Sequence, residues 1–247
     1  MLKNNYICAL DIGSTKIAAV AAEIKKKKVS SVFFVTSPVK GIKKGTIVNS
    51  VELVGSIEQA LDKLRAASGI NIKFVYANIS GRDIVTSHAQ AIIPLAERGN
   101  KVIMPSDIRK VTEQARILGS NLDEEIIHQV PFSYSIDSKN KIANPLGLYS
   151  HKLEVDLYLI CGKLASIQSL IRAVNQAGAE IKNLFFSGIA TAEAVLSNEL
   201  KKGQNILCDI GGDVTEILLF KDGLLRHTEV LEMGGDDLTN ALCEELK

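Results

Sequence analysis

Cys8-Ala9-Leu10-Asp11-Ile12-Gly13 and, about two hundred residues later, Leu207-Cys208-Asp209-Ile210-Gly211-Gly212 are one device used twice. In each, an apolar run delivers an Asp, and the Gly behind it allows a tight turn at φ values that other residues resist. Backbone N–H groups around such a turn point outward as an anion-binding nest. A single Asp-x-Gly turn fits any hairpin. Two at matching points of similar segments predict a pair of hairpins gripping one polyphosphate from both sides. Asp11 and Asp209 would then hold Mg2+ through its waters, because Mg2+ gives up its hydration shell reluctantly. Met233-Gly234-Gly235-Asp236 adds a third element. Gly permits close backbone approach to a nucleotide, and the helix that follows offers the positive end of its dipole. Taken alone, that Gly pair reads as an ordinary strand-to-helix turn.

Around the first turn, apolar runs at 6–10, 17–24 and 29–35 predict an antiparallel meander. A helix follows with Val54, Ile57, Leu61 and Leu64 on one face and Gly69 as its stop, then a strand at 74–79. Between about 83 and 162 the texture changes. A strand at 85–94, a helix after Pro105-Ser106 (Ile108, Val111, Ala115 and Leu118 inward), and strands at 126–136 and 152–161 predict an inserted strand-helix-strand-strand unit. Its ends should lie together in the parent sheet, as tolerated insertions require. A helix at 164–177, a strand at 181–186 and a helix at 189–200 come next. Runs at 204–210, 215–220 and 225–231 then repeat the meander, and a last helix opens with Asp236 as its N-cap. The sum is a mixed α/β layer fold, expected to be truncated at Lys247.

Composition narrows the function classes. The 29 basic and 28 acidic side chains leave a formal charge of +1, which removes the electrostatic footprint of a nucleic-acid binder. The one dense basic run, Lys25 to Lys28, reads as a solvated hairpin turn. Cys8, Cys161, Cys208 and Cys243 lack CxxC or His-paired spacing and are expected to be free, buried thiols of a reducing cytosol. The polar start Met1-Leu2-Lys3-Asn4-Asn5 is not a signal peptide, and no apolar stretch approaches membrane-spanning length, so a cytoplasmic chain is expected. His88, His128, His151 and His227 show neither metal nor triad spacing, and Ser187-Gly188 lacks the G-x-S-x-G frame of a hydrolase elbow.

The twin phosphate hairpins and the Gly-Gly connection resemble the superfamily of actin, sugar kinases and heat-shock-chaperone ATPases. Within it, the chain is similar to the FtsA family of bacterial cell-division proteins from about Tyr6 onward. Asp11-Ile12-Gly13-Ser14-Thr15-Lys16, Gly41-Ile42-Lys43-Lys44-Gly45, Asn144-Pro145-Leu146-Gly147-Leu148 and Asp209-Ile210-Gly211-Gly212 carry the likeness. The resemblance implies an incomplete actin-like (ribonuclease H-like) ATPase fold. Residues 1–82 and 163–197 would form subdomain 1A, and 83–162 an inserted SHS2-type subdomain 1C that mediates contacts between protomers and with other division proteins. Residues 198–247 would begin subdomain 2A. Carried over residue by residue, Asp11, Gly13, Ser14, Thr15 and Lys16 match the first phosphate motif, Asp209, Gly211 and Gly212 the second, and Gly234 and Gly235 the connection beside the nucleotide. Thr215 falls at the end of the second motif. Asp11 and Asp209 would hold the metal. The family usually has a third Gly where Asp213 stands and often Thr or Ser where Val214 stands. A carboxylate at that turn repels phosphate unless it faces the metal or solvent.

By the same resemblance, the chain would bind ATP and Mg2+, self-associate into filaments, and tether the FtsZ ring to the cytoplasmic face of the inner membrane while recruiting later division proteins. Attachment would be peripheral, through a C-terminal helix beyond Lys247, with no nucleic-acid partner. Turnover would be that of a weak ATPase at most, since no strong base for an attacking water is apparent in the sequence. Two alternatives keep the fold: a PilM-like scaffold for type IV pili and a small-molecule kinase.

Overall fold

The computed structural model describes residues 5–96, 99–137 and 140–246; the polar start at 1–4 and Lys247 lie outside them. β1 (Asn5–Ile12), β2 (Lys16–Lys25) and β3 (Lys28–Pro38) form the expected antiparallel meander. Lys26 and Lys27 take positive φ in the two-residue turn between β2 and β3, and the lysine run is exposed there. A small hairpin, β4 (Ile42–Lys43) and β5 (Thr46–Ile47), leads into α1 (Ser50–Ser68). Asn49 caps α1 by accepting from the N–H groups of Val51 and Glu52, and Gly69 ends it at φ 67°. β6 (Phe74–Ile79) then pairs parallel with β1.

The insert opens with β7 (Ile84–Pro94) and β8 (Lys101–Val102), followed by α2 (Pro105–Leu118), β9 (Glu124–Ile136), β10 (Asn140–Ile142), β11 (Tyr149–Ser150) and β12 (Lys152–Lys163). Its sheet runs β10-β9-β12-β7, all antiparallel, with α2 on one face. Entry and exit meet as expected: Ile84 pairs with Gly162, and the Lys163 N–H donates to the Asp83 carbonyl at 3.0 Å. Leu118 was expected inward on α2 but is exposed. Gly119 takes the inward place instead, so close to Ala89 and Leu159 that a Cβ there would lie 2.5 Å from both side chains.

α3 (Leu164–Gln176) and β13 (Glu180–Phe186) complete the first lobe, whose sheet runs β13-β6-β1-β2-β3. Its core joins Leu10, Ile17 and Ala19 of the sheet to Leu53, Ile57 and Leu61 of α1 and to Ile167 and Val174 of α3. The single helix expected at 189–200 is two: α4 (Ser187–Val195) and α5 (Asn198–Lys202). The chain turns extended at Leu196, which packs into the core beneath, and Ser197 restarts the helix by accepting from the Leu200 N–H.

The second meander, β14 (Gln204–Ile210), β15 (Thr215–Lys221) and β16 (Leu224–Leu231), forms its own sheet and is followed by α6 (Gly235–Glu245). Tyr158 and Ile160 of β12 share a core with Phe186 of β13 and with Leu218, Phe220 and Leu225 of this sheet. The Tyr158 hydroxyl accepts from the Thr228 N–H at 2.9 Å. One face of the insert is thus built into the contact between lobes. The cysteines are free, as expected, but only Cys8 and Cys161 are buried; Cys208 lies on the open face of β14, and Cys243 on α6 is exposed too. Among the described residues, no helix is long and apolar enough to cross a membrane.

Candidate functional site: a cleft between twin turns

β1 and β14 each end in an Asp-led turn closed the same way. The Gly13 N–H donates to the Lys16 carbonyl at 3.1 Å, and the Gly211 N–H to the Val214 carbonyl at 2.9 Å. Both turns open onto one cleft of about 370 Å3, lined by Asp11, Gly13, Ser14, Thr15, Lys16, Asp209, Gly211 and Gly212. The turns touch: a Cβ on Gly212 would run into the Thr15 methyl group. The two motifs read from the sequence therefore face each other across one space.

Three residues assigned to the site from the sequence lie outside the walls of this cleft: Thr215, Gly234 and Gly235. They brace the second turn from behind. The N–H groups of Gly235 and Asp236 donate to the carbonyls of Gly211 and Gly212, both at 2.9 Å, and the Thr215 hydroxyl donates to the Met233 carbonyl at 2.7 Å. The start of α6 therefore spends its first two N–H groups on protein carbonyls. The N-cap is Gly234 rather than Asp236, and the side chain that closes it is Asp237, whose Oδ2 accepts the Gly234 N–H at 2.9 Å.

The carboxylates are held from the sides. Asp11 Oδ1 accepts from Asn78 Nδ2 at 2.7 Å; Asn78 Oδ1 takes the Ile12 N–H at 2.7 Å, and its Nδ2 also reaches Ser187 Oγ at 2.8 Å. Asp209 Oδ2 accepts from Thr191 Oγ1 at 2.7 Å. Burial raises the pKa of Asp11 and the Asp209 charge adds to the rise, with Lys16 opposing them. Two carboxylates that repel one another across a cleft fit a hydrated Mg2+, which needs one or two such groups plus phosphate oxygens. Among the described residues, no three His, Cys, Asp or Glu side chains converge as an all-protein metal cage.

Sequence reading missed a third carboxyl. Glu216 of β15 lines the cleft with only 3% of its surface exposed, and its Oε1 accepts a hydrogen bond from the Ser80 hydroxyl. Burial pushes its pKa up to about 7; the Ser80 bond opposes the rise, and the charges of Asp209 and Asp11 reinforce it. A signal existed. Val214, Leu218 and Phe220 are the other inward positions of that stretch, so Glu216 breaks a buried apolar series. Asn78, Ser80, Ser187 and Thr191 carried no comparable mark. Asp213 does not line the cleft: its Oδ2 accepts the Lys44 N–H at 3.0 Å, in the turn between β4 and β5. The histidines make structural contacts, as with His128 Nε2, which accepts the Phe186 N–H at 3.0 Å.

Two lobes with meandering sheets, twin Asp-led turns and an inserted strand-helix-strand-strand unit define an actin-like ATPase fold. Solved structures support the architecture. The PilM-PilN type IV pilus biogenesis complex superposes with TM-score 0.62 at 15% identity, over 97% of this chain and 65% of that one. The ethanolamine utilization protein EutJ from Carboxydothermus hydrogenoformans gives 0.55 at 15% identity, over 99% and 58%. Residues 81–161 match the family model described as the SHS2 domain inserted in FtsA. The chain is similar to cell division protein FtsA of two bacteria: it is 29% identical to that of Pseudomonas aeruginosa over 98% of its own length, and 29% identical to that of Bacillus subtilis over 100%. It spans 57% and 56% of those two relatives.

Proposed function

We propose that the chain is the ATP-binding and insert-bearing part of an FtsA-type cell-division protein. The observation that carries this reading is the pair of Asp-led turns lining one cleft. The turns of Gly13 and Gly211 bind the phosphate chain, Asp11 and Asp209 hold hydrated Mg2+, and Mg2+ neutralises phosphate charge when bound. Asn78 and Thr191 fix the two carboxylates, while Glu216, buried beside Ser80, is the group able to accept a proton from an attacking water. Any turnover is that of a weak ATPase, and it scales with the fraction of Glu216 that is ionised near neutral pH.

Asp11→Ala is expected to weaken ATP binding in calorimetric titration with Mg2+ by roughly 2 kcal/mol, the scale of one charge-assisted contact. Gly211→Val does the same by another route, since a Cβ there would sit 2.9 Å from the Val214 carbonyl oxygen and open the turn. Unchanged affinity in both variants would remove the phosphate-clamp reading.

At the level of assembly, the chain takes part in head-to-tail filaments through heterologous contacts. It tethers FtsZ polymers at the cytoplasmic face of the inner membrane and recruits later division proteins, with the SHS2 insert as a contact surface. The FtsA relatives and the insert match support this over a PilM-like scaffold, since the likeness to the PilM-PilN complex bears on the fold alone. Co-sedimentation with FtsZ polymers, compared with binding of a pilus-protein peptide, separates the two. ATP turnover that depends on an added sugar or small alcohol would favour a kinase instead.

A further inference from the structure

We propose that Asp213 is a positioning residue: the carboxylate arm of a clasp that pins the second turn to the opposite lobe and slows nucleotide release. The idea rests on the nucleotide reading of the cleft for its consequence, but not for its geometry. Lys44 and Gly45 form the two-residue turn between β4 and β5, both at positive φ, 50° and 70°. The ladder of that hairpin pairs Ile42 with Ile47 and Lys43 with Thr46, which leaves the Lys44 N–H without a partner inside it. Asp213 supplies one from the other lobe, 169 residues away in sequence, through Oδ2 at 3.0 Å. A second bond runs the same way, from Lys44 Nζ to the Glu232 carbonyl at 3.0 Å.

The clasped turn belongs to the cleft wall. Ile42, Gly45, Thr46 and Ile47 line the cleft. Gly45 is seated so tightly on Ser80-Gly81 that a Cβ on it would lie 3.0 Å from the Gly81 nitrogen and 3.1 Å from the Ser80 carbonyl oxygen. Separating Asp213 from Lys44 therefore frees one wall from the turn that faces the phosphates. This also accounts for a carboxylate beside a phosphate-binding turn: its oxygen is engaged by a backbone N–H and held outside the lining.

The test uses the whole 247-residue chain and reads two quantities. One is the dissociation rate of a fluorescent ATP analogue with Mg2+, measured by stopped flow; the other is hydrogen exchange at the Lys44 amide by NMR without nucleotide. Asp213→Gly is expected to speed release on the order of ten-fold, the scale of a hydrogen bond to a charged group, and to expose the Lys44 amide. Asp213→Asn, which keeps an acceptor oxygen, should stay near the parent in both. Asp213→Ala repeats the test without the added backbone freedom of Gly. A Lys44 amide equally protected in all four proteins would overturn the clasp. So would tighter nucleotide binding by the same factor in Gly, Ala and Asn variants, because the carboxylate would then act through repulsion alone. Should the parent chain bind no nucleotide, the cleft reading fails by itself, and amide exchange decides the clasp unaided.

Discussion

Gly234→Ala is expected to lower stability by about 3 kcal/mol, the sum of an overpacking cost and two strained hydrogen bonds, and to take nucleotide binding with it. The cause is steric. Gly234 sits at φ −151° and ψ −164°, extended backbone that any residue adopts. What forbids a side chain is the second turn: a Cβ would collide with the Gly212 carbonyl and lie 2.6 Å from the Gly211 carbonyl oxygen. Those two oxygens accept the N–H groups of Gly235 and Asp236, so moving α6 away breaks the bonds that hold the turn from behind. A chain of this size should lose on the order of 10 °C in Tm, read by calorimetry, with at least ten-fold weaker ATP binding expected if the two carbonyls are to stay oriented for the turn to work. Gly55→Ala is the matched control. Gly55 is exposed inside α1 with nothing within 4 Å of a new Cβ, so the change should stabilise by about 0.5–1 kcal/mol. Equal and small effects at both glycines would mean that the α6 junction yields freely and does not shape the turn.

That contrast also marks what the amino-acid sequence made readable. The two Asp-led turns are local objects, each a strand, a carboxylate and a Gly within six residues, so the sequence located them and the repeat paired them. The insert drew notice in the sequence because the texture changes between about 83 and 162, and in the fold its two ends pair, Ile84 with Gly162. The supports of the site were not readable in this way. Asn78 reaches Asp11 because β6 pairs with β1 in one sheet, Thr191 reaches Asp209 from a helix onto a strand, and Glu216 meets Ser80 only where the two lobes pack. Gly234 and Gly235 show how one local signal fits two structures. A Gly pair before a helix fits both close approach to a ligand and close approach to another backbone, and here it meets the carbonyls of Gly211 and Gly212. Cys208 was misplaced because one strand has two faces. Its apolar run looked buried, yet Ile206, Cys208 and Ile210 all point away from the core that Leu207 joins.

Glu216→Gln should make the protein more stable at pH 8 by roughly 2–3 kcal/mol, since each unit of pKa shift corresponds to about 1.4 kcal/mol. The group's pKa rises from 4.5 in the unfolded chain to about 7 in the fold. Between those values the folded state holds the proton more tightly than the unfolded state, so stability falls as pH climbs from about 4.5 to 7 and then levels off. The Gln variant carries no proton to lose; chemical denaturation at a series of pH values should show the two proteins alike near pH 4.5 and diverging up to pH 7. Parallel curves would mean that Glu216 titrates normally and is not buried with the other two carboxylates. The same titration should govern ATP turnover in the opposite sense. Ionised Glu216 is the form able to accept a proton from water, so turnover rises through the pH range in which the fold weakens. Gln at this position should silence turnover while ATP still binds the twin turns. Keeping an ionisable carboxyl at 3% exposure costs fold stability, and under the proposed nucleotide reading that cost would secure a proton acceptor beside the phosphates.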